Sequence, residues 1–335
     1  MEVTRIDYLK NFLQDKKQLI TIVVHANPDG DAIGSALGLY AWMTDHGFSR
    51  VYVVAPNPYA SFLHWMPGND HVIVAEEDKN QALELISTAK LLICLDFNGM
   101  GRTGELEEHM KASMAAKIMI DHHPDPANDF DLVISDTGVS STAELLYECL
   151  AGLSGQEAIS LAVAQCLYAG IVTDTGSFSY GCNSPRTYEI VARLIEKGVD
   201  GAHIHRLIYS TYSEDRMRLL GFCLSDKLKV VKEADTAYIS LSENELMRFN
   251  HREGDTEGIV NYALNIENIR LAALFTEKED YVKVSLRSIG DLDANEFARS
   301  HFNGGGHKNA AGGKSFASLQ DTLANFEILV KKESF

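Results

Sequence analysis

Leu19-Ile20-Thr21-Ile22-Val23-Val24-His25-Ala26-Asn27-Pro28-Asp29-Gly30-Asp31 is an apolar run followed at once by one histidine and two aspartates. Pro28 fixes φ and Gly30 tolerates φ > 0, so the loop takes a tight, irregular path. Such a path can turn His25, Asp29 and Asp31 toward one point. Imidazole with hard carboxylates suits a divalent metal such as Mn²⁺. The same residues also fit a plain Asp-Gly turn after a buried strand. The rest of the chain decides between the two.

Downstream, Asp31 to Thr44 reads as a helix, with Ile33, Leu37, Tyr40 and Ala41 on one stripe. Further short apolar runs follow at 50–55, 71–74, 91–95, 117–120 and 132–134, with helical spacing between them. Continuous apolar runs alternating with helices predict a parallel sheet covered on both faces. Residues 4–15 read as an opening helix. Ser141-Thr142-Ala143-Glu144 matches a capping box, and helices are expected at 158–169 and 187–197.

Beyond this the grammar changes. Residues 199–225 carry helices with mixed polar faces and suit a connector. Strands are expected at 236–241, 269–275 and 281–287, with helices at 257–266 and 318–332. In the last strand Val282, Val284 and Leu286 share a face, with Lys283, Ser285 and Arg287 opposite. The expected fold class is α/β: a doubly wound, mostly parallel N-terminal domain over 1–198, the connector 199–225, and a smaller α+β domain over 226–335.

Composition narrows the partners. Lys+Arg of 30 against Asp+Glu of 47 gives a net charge of −17. Affinity for long nucleic acids grows with the phosphates that a protein neutralises, so long polyanions are disfavoured. Five scattered cysteines suggest reduced thiols, the N-terminus lacks the apolar stretch of a signal peptide, and no run approaches bilayer length. A cytoplasmic protein without a membrane partner is expected. A homodimer is left open.

Chemistry-bearing residues fall at the ends of apolar runs. The first run ends in His25, the fourth in Asp96, the fifth in Asp121-His122-His123, and Asp174 follows Gly170-Ile171-Val172-Thr173 in the same manner. In open parallel sheets, ligands gather outside the carboxyl ends of the strands. One ion would not use six or seven protein ligands and stay open for catalysis, whereas two ions sharing a carboxylate would.

These residues resemble the motifs of the DHH phosphoesterases: His-x-Asn-Pro-Asp-Gly-Asp at 25–31, Asp96, Asp121-His122-His123 and Asp174. Gly304-Gly305-Gly306-His307 resembles the DHHA1 domain that commonly follows, and the two-domain layout is similar to the oligoribonuclease (nanoRNase)/pAp-phosphatase subgroup. The resemblance implies two Mn²⁺ ions, with Mg²⁺ or Co²⁺ as substitutes. His25 and Asp29 would hold one, and Asp31, His122 and Asp174 the other, with Asp96 bridging. It further implies that Asp121 orients His122, and that His123 binds the scissile phosphate or protonates the leaving group. The site would lie in the cleft between the domains.

For the substrate, three glycines let N–H groups converge on an anion, and a helix expected just after them would add its positive end. His307 stands beside them, and Arg287 can grip a phosphate bidentately. Ser285-Leu286-Arg287-Ser288 matches the arginine setting of DHHA1 domains, and Arg102 is a further phosphate-binding candidate. The implied activity is two-metal hydrolysis of oligonucleotides of about 2–5 nucleotides to mononucleotides, and of 3′-phosphoadenosine 5′-phosphate. The rivals are a phosphodiesterase of cyclic or linear signalling dinucleotides, a RecJ-like exonuclease, a pyrophosphatase, and a non-catalytic nucleotide sensor.

Overall fold

The structure, a computed structural model, describes residues 3–252 and 254–333. The chain divides into two compact units, Met1–Thr211 and Tyr212–Phe335. The division falls inside the span 199–225, whose two helices go to different units.

In the first unit, six strands form one sheet: β1 (Ile20–Val24), β2 (Val51–Ala55), β3 (Val72–Val74), β4 (Leu91–Leu95), β5 (Ala116–Asp121) and β6 (Leu132–Ser135). Their order is β3-β2-β1-β4-β5-β6, every pair parallel. The strands are near-continuous apolar runs because both faces are covered. Ile20, Ile22 and Val24 face the helices α1 (Val3–Phe12), α2 (Gly30–Asp45), α5 (Thr142–Ser154) and α6 (Leu161–Asp174). Val23, Leu92 and Cys94 face α3 (Lys79–Thr88) and α4 (Glu107–Ala112). Thr21 points to that second side without loss, since its hydroxyl donates to the Leu85 carbonyl at 2.9 Å. α7 (Pro185–Glu196) and α8 (Gly201–Tyr209) complete the unit.

The strand order reverses between β1 and β4, and there the crossover loops diverge and leave room for a ligand. α2, α5 and α6 close around this point through small residues. A Cβ on Gly34 would lie 2.6 Å from the Cys166 carbonyl, and one on Gly170 would lie 2.6 Å from Ala143 Cβ and 2.9 Å from Asp31 Oδ1.

Here one expectation changes. Asp174 is the last residue of a helix and does not follow a strand. Ile171 and Val172 are β-branched and favour strands locally. Packing of α6 against α2 and α5 overrides that preference, and the whole of 161–174 is helical. The capping box at 141–144 is also only half present. Ser141 Oγ accepts from Glu144 N at 3.0 Å, but the Glu144 carboxylate turns away to Ser140 N and Thr187 Oγ1.

The second unit carries β7 (Lys229–Val231), β8 (Thr236–Leu241), β9 (Leu271–Glu277), β10 (Val282–Ser288), β11 (Gly305–His307) and β12 (Ala310–Ser315). They form one sheet in the order β11-β12-β10-β9-β8-β7, with only β8 and β9 parallel. α12 (Ala294–His301) and α13 (Leu319–Glu333) cover one face through Phe275, Phe297, Phe302 and Phe326. α9 (Glu214–Phe222), α10 (Glu243–Arg248) and α11 (Ile259–Leu264) pack on the other, around Ile239, Leu241 and Leu274. The glycine stretch is therefore not a loop before a helix but the hairpin of β11 and β12. The next helix starts only at Leu319. A Cβ on Gly304 would meet the Gly312 carbonyl at 1.9 Å, so strand-to-strand approach demands glycine there.

Candidate active site

Four segments of the first unit converge at the reversal between β1 and β4. β1 delivers His25, β4 delivers Asp96, β5 delivers Asp121, His122 and His123, and the end of α6 delivers Asp174. His25, Asp31, Asp96, Asp121, His122 and His123 are all buried. The loop after β1 is held from outside: Asn27, in the left-handed region at φ 55, donates its N–H to Asn57 Oδ1 at 2.6 Å. Asn57 Nδ2 donates back to Asn27 Oδ1 at 3.2 Å. Nothing in the sequence pointed to Asn57.

Asp96 is the hub. Its Oδ2 lies 3.6 Å from His25 Nε2, and its Oδ1 lies 3.7 Å from His122 Nε2. His122 Nε2 is also 3.8 Å from Asp31 Oδ2 and 3.5 Å from Asp174 Oδ2, while His25 Nε2 is 4.0 Å from Asp29 Oδ1. Among the convergent groups of ligand atoms, His25–Asp29–Asp96 and Asp31–Asp96–His122 share Asp96, which also stands with Asp121 and His123 in a third. Asp29 has a second task, because its Oδ1 also accepts from Asp31 N and Ala32 N and caps α2.

Charge in this cluster is poorly balanced. Burial would discharge Asp96, but His25 first, then His123 and His122, hold its carboxyl well below the usual range. Burial also works against a proton on His25, yet Asp96 and Asp29 outweigh it and raise its pKa. Asp31 is pushed well above the carboxylate range by burial and by the charges of Asp96, Asp174 and Asp29. For His122, burial prevails over Asp96 and lowers the pKa. Converging buried carboxylates that repel one another call for cations.

The donor set fits divalent metal. His25 Nδ1 is engaged with the Ala26 carbonyl at 2.9 Å, which leaves Nε2 as the ligating nitrogen. Hard carboxylates and imidazole suit Mn²⁺ and its neighbours. The structure departs from expectation over Asp121: its Oδ1 lies 2.7 Å from His123 Nδ1, so it orients His123 and not His122. Arg102 lies beside the site, since its carbonyl accepts from Ala26 N at 2.7 Å.

In the second unit, Arg287, Ala310 and His307 stand in one row across β10, β12 and β11. Ser285, Gly312 and Gly305 form the adjoining row. These residues share the face opposite Val284 and Leu286, so a floor of small residues lies between an arginine and a histidine.

Residues 19–171 match the DHH family, N-terminal domain, and residues 236–332 match the DHHA1 domain. The probable bifunctional oligoribonuclease and PAP phosphatase NrnA of Streptococcus mutans is 31% identical over 96% of this chain and 99% of its own length. The chain belongs to the DHH family of phosphoesterases. A second DHH relative, the bifunctional oligoribonuclease and PAP phosphatase NrnA of Bacillus subtilis, is 29% identical over 93% of this chain and 95% of its own. The crystal structure of an exopolyphosphatase-related protein from Bacteroides fragilis matches with a TM-score of 0.93 at 38% identity. It covers 99% of this chain and 97% of that one. Among the described residues, no helix of this DHH protein is long and apolar enough to cross a membrane.

Proposed function

We propose that this chain hydrolyses very short oligonucleotides to mononucleotides and removes the 3′-phosphate of 3′-phosphoadenosine 5′-phosphate, with Mn²⁺ as cofactor. The observation that carries the reading is that Asp96 stands between His25 with Asp29 on one side and His122 with Asp31 on the other. The NrnA relatives, named as oligoribonucleases and PAP phosphatases, support the substrate class. The net charge of −17 supports short substrates over long strands.

Two ions, one on His25 and Asp29 and one on Asp31, His122 and Asp174 with Asp96 between them, would polarise the phosphate and acidify the attacking water when bound. The protein's own groups supply the rest. In both substrates the bond that breaks joins phosphorus to a ribose 3′ oxygen, which leaves as an alkoxide in need of a proton. Asp121 engages Nδ1 of His123, so Nε2 is the atom that hands over this proton. Within the second unit, Arg287 with His307 and the backbone of Gly304, Gly305 and Gly306 suits a phosphate, and within the first Arg102 adds a cation beside His25.

The test is a parallel assay with Mn²⁺ on a dinucleotide, a 24-mer, 3′-phosphoadenosine 5′-phosphate, a cyclic dinucleotide and pyrophosphate. The dinucleotide and the bisphosphate should turn over fastest, and chelation or Asp96→Ala should abolish both activities. Faster turnover of the 24-mer or the cyclic dinucleotide would overturn the substrate assignment. Full activity in chelator would overturn the metal reading.

A further inference from the structure

Ser141-Thr142-Ala143-Glu144 is a helix start with one group to spare. Ser141 already caps α5 through Glu144 N, so the Thr142 hydroxyl is not needed for capping. It is buried and donates instead to Asp96 Oδ1 at 2.8 Å, 46 residues away in the chain. The same turn takes hold of Asp31: Thr142 N donates to Asp31 Oδ2 at 2.6 Å and Ala143 N to Asp31 Oδ1 at 2.9 Å. One turn of helix therefore grips the shared carboxylate and a carboxylate of one ligand set.

The two oxygens of Asp96 are not equivalent. Oδ1, the oxygen bound by Thr142, is on the His122 side, and Oδ2 faces His25. A carboxylate on a single Cβ–Cγ bond turns easily, and a shared ligand must offer one oxygen to each side. We propose that Thr142 is a positioning residue: its hydroxyl fixes the rotation of the Asp96 carboxylate and thereby completes the Asp31–Asp96–His122 set. Threonine suits this task because its β-branch restricts χ1, so the hydroxyl is already aimed. The inference rests on the divalent-metal reading given above, and it assigns Thr142 to one of the two ions.

The experiment titrates Mn²⁺ into chelator-treated wild type, Thr142→Val and Thr142→Ser, by calorimetry and by the spin-coupling signature of paired Mn²⁺ in electron paramagnetic resonance. Valine keeps the shape and the β-branch but has no donor. Thr142→Val should weaken one ion about tenfold or more while the other stays within about threefold, the range seen for groups that orient metal ligands. The paired-ion signal should then need correspondingly more Mn²⁺, and Thr142→Ser should restore most of the loss. Wild-type affinity for both ions in Thr142→Val would overturn the proposal. So would an equal loss at both, with a lower melting temperature of the metal-free protein, since the hydroxyl would then be merely structural. Wild type that takes up no Mn²⁺ would instead overturn the metal reading itself.

Discussion

Asp121 Oδ1 lies 2.7 Å from His123 Nδ1, so the carboxylate of the Asp121-His122-His123 run steers the second histidine. Asp121→Asn keeps the shape but removes the carboxylate charge beside His123 Nδ1. We expect it to lower kcat on a dinucleotide about 100-fold, the lower end for general acid catalysis. Mn²⁺ affinity should hold. The loss should shrink on a nitrophenyl ester of a nucleotide, whose leaving group departs without a proton. An equal loss on both substrates would assign His123 to phosphate binding.

Asp29 has two tasks that substitution can separate. Asparagine can still accept from Asp31 N and Ala32 N at the start of α2, whereas alanine cannot. Asp29→Ala should therefore destabilise the metal-free protein by about 1 kcal/mol, and Asp29→Asn by much less. Both should weaken Mn²⁺ binding. Denaturant melts in chelator, set beside Mn²⁺ titrations, check the separation.

Gly170 is where α6 meets Asp31. A Cβ there would lie 2.9 Å from Asp31 Oδ1 and 2.6 Å from Ala143 Cβ, and neither neighbour can retreat from a packed helix junction. Gly170→Ala should cost about 1–3 kcal/mol of stability through overpacking. It should also lower Mn²⁺ affinity, since Asp31 must shift and Asp174 ends the same helix. A variant with wild-type melting temperature and wild-type Mn²⁺ binding would show that the junction yields freely.

The pH dependence of the metal-free protein follows from His25. Its folded pKa is raised above the ordinary histidine value of 6.5, with burial opposing and Asp96 and Asp29 prevailing. A raised histidine pKa contributes stability that is complete below the unfolded pKa and is lost as pH rises through the folded value. Asp31, also raised, acts in the same direction, whereas His122, lowered by burial, acts in the opposite one and its contribution levels off as the unfolded imidazole loses its proton above pH 6.5. Stability in chelator should therefore fall as pH increases above 6.5. His25→Gln should flatten that fall, which chemical denaturation across pH 6–9 would show. A rise in stability over this window would contradict the His25–Asp96 pairing.

Much of the fold was readable because each strand of the first unit is a short apolar run with helical spacing on both sides. Five buried strand residues in Ile20–Val24 can only belong to a sheet covered twice. The hairpin of β11 and β12 was not readable, since Gly304-Gly305-Gly306 and Ala310-Ala311-Gly312-Gly313 have neither alternation nor β-branched residues. They pair because glycine permits the close approach that any side chain would block. Thr142 was visible only as part of a helix start. Its bond to Asp96 joins residues that no local pattern connects.

Taken alone, the sequence determined which side chains meet. His25, Asp96 and Asp121-His122-His123 each follow directly on an apolar run, and a doubly wound sheet brings such positions to one edge. It also placed Asp29 and Asp31 at the start of α2, but Gly30 is the first helical residue there without positive φ, and glycine is required because a Cβ would lie 2.3 Å from Thr173 Oγ1. Only the tertiary structure decided how the acidic groups are shared out. Asp29 caps a helix, Asp31 is held by the first turn of α5, Asp174 comes from a helix end, and Asp121 serves His123. These outcomes depend on where α5 and α6 pack, to within an ångström or two. Residue spacing says that charges converge, but packing says which oxygen faces which nitrogen.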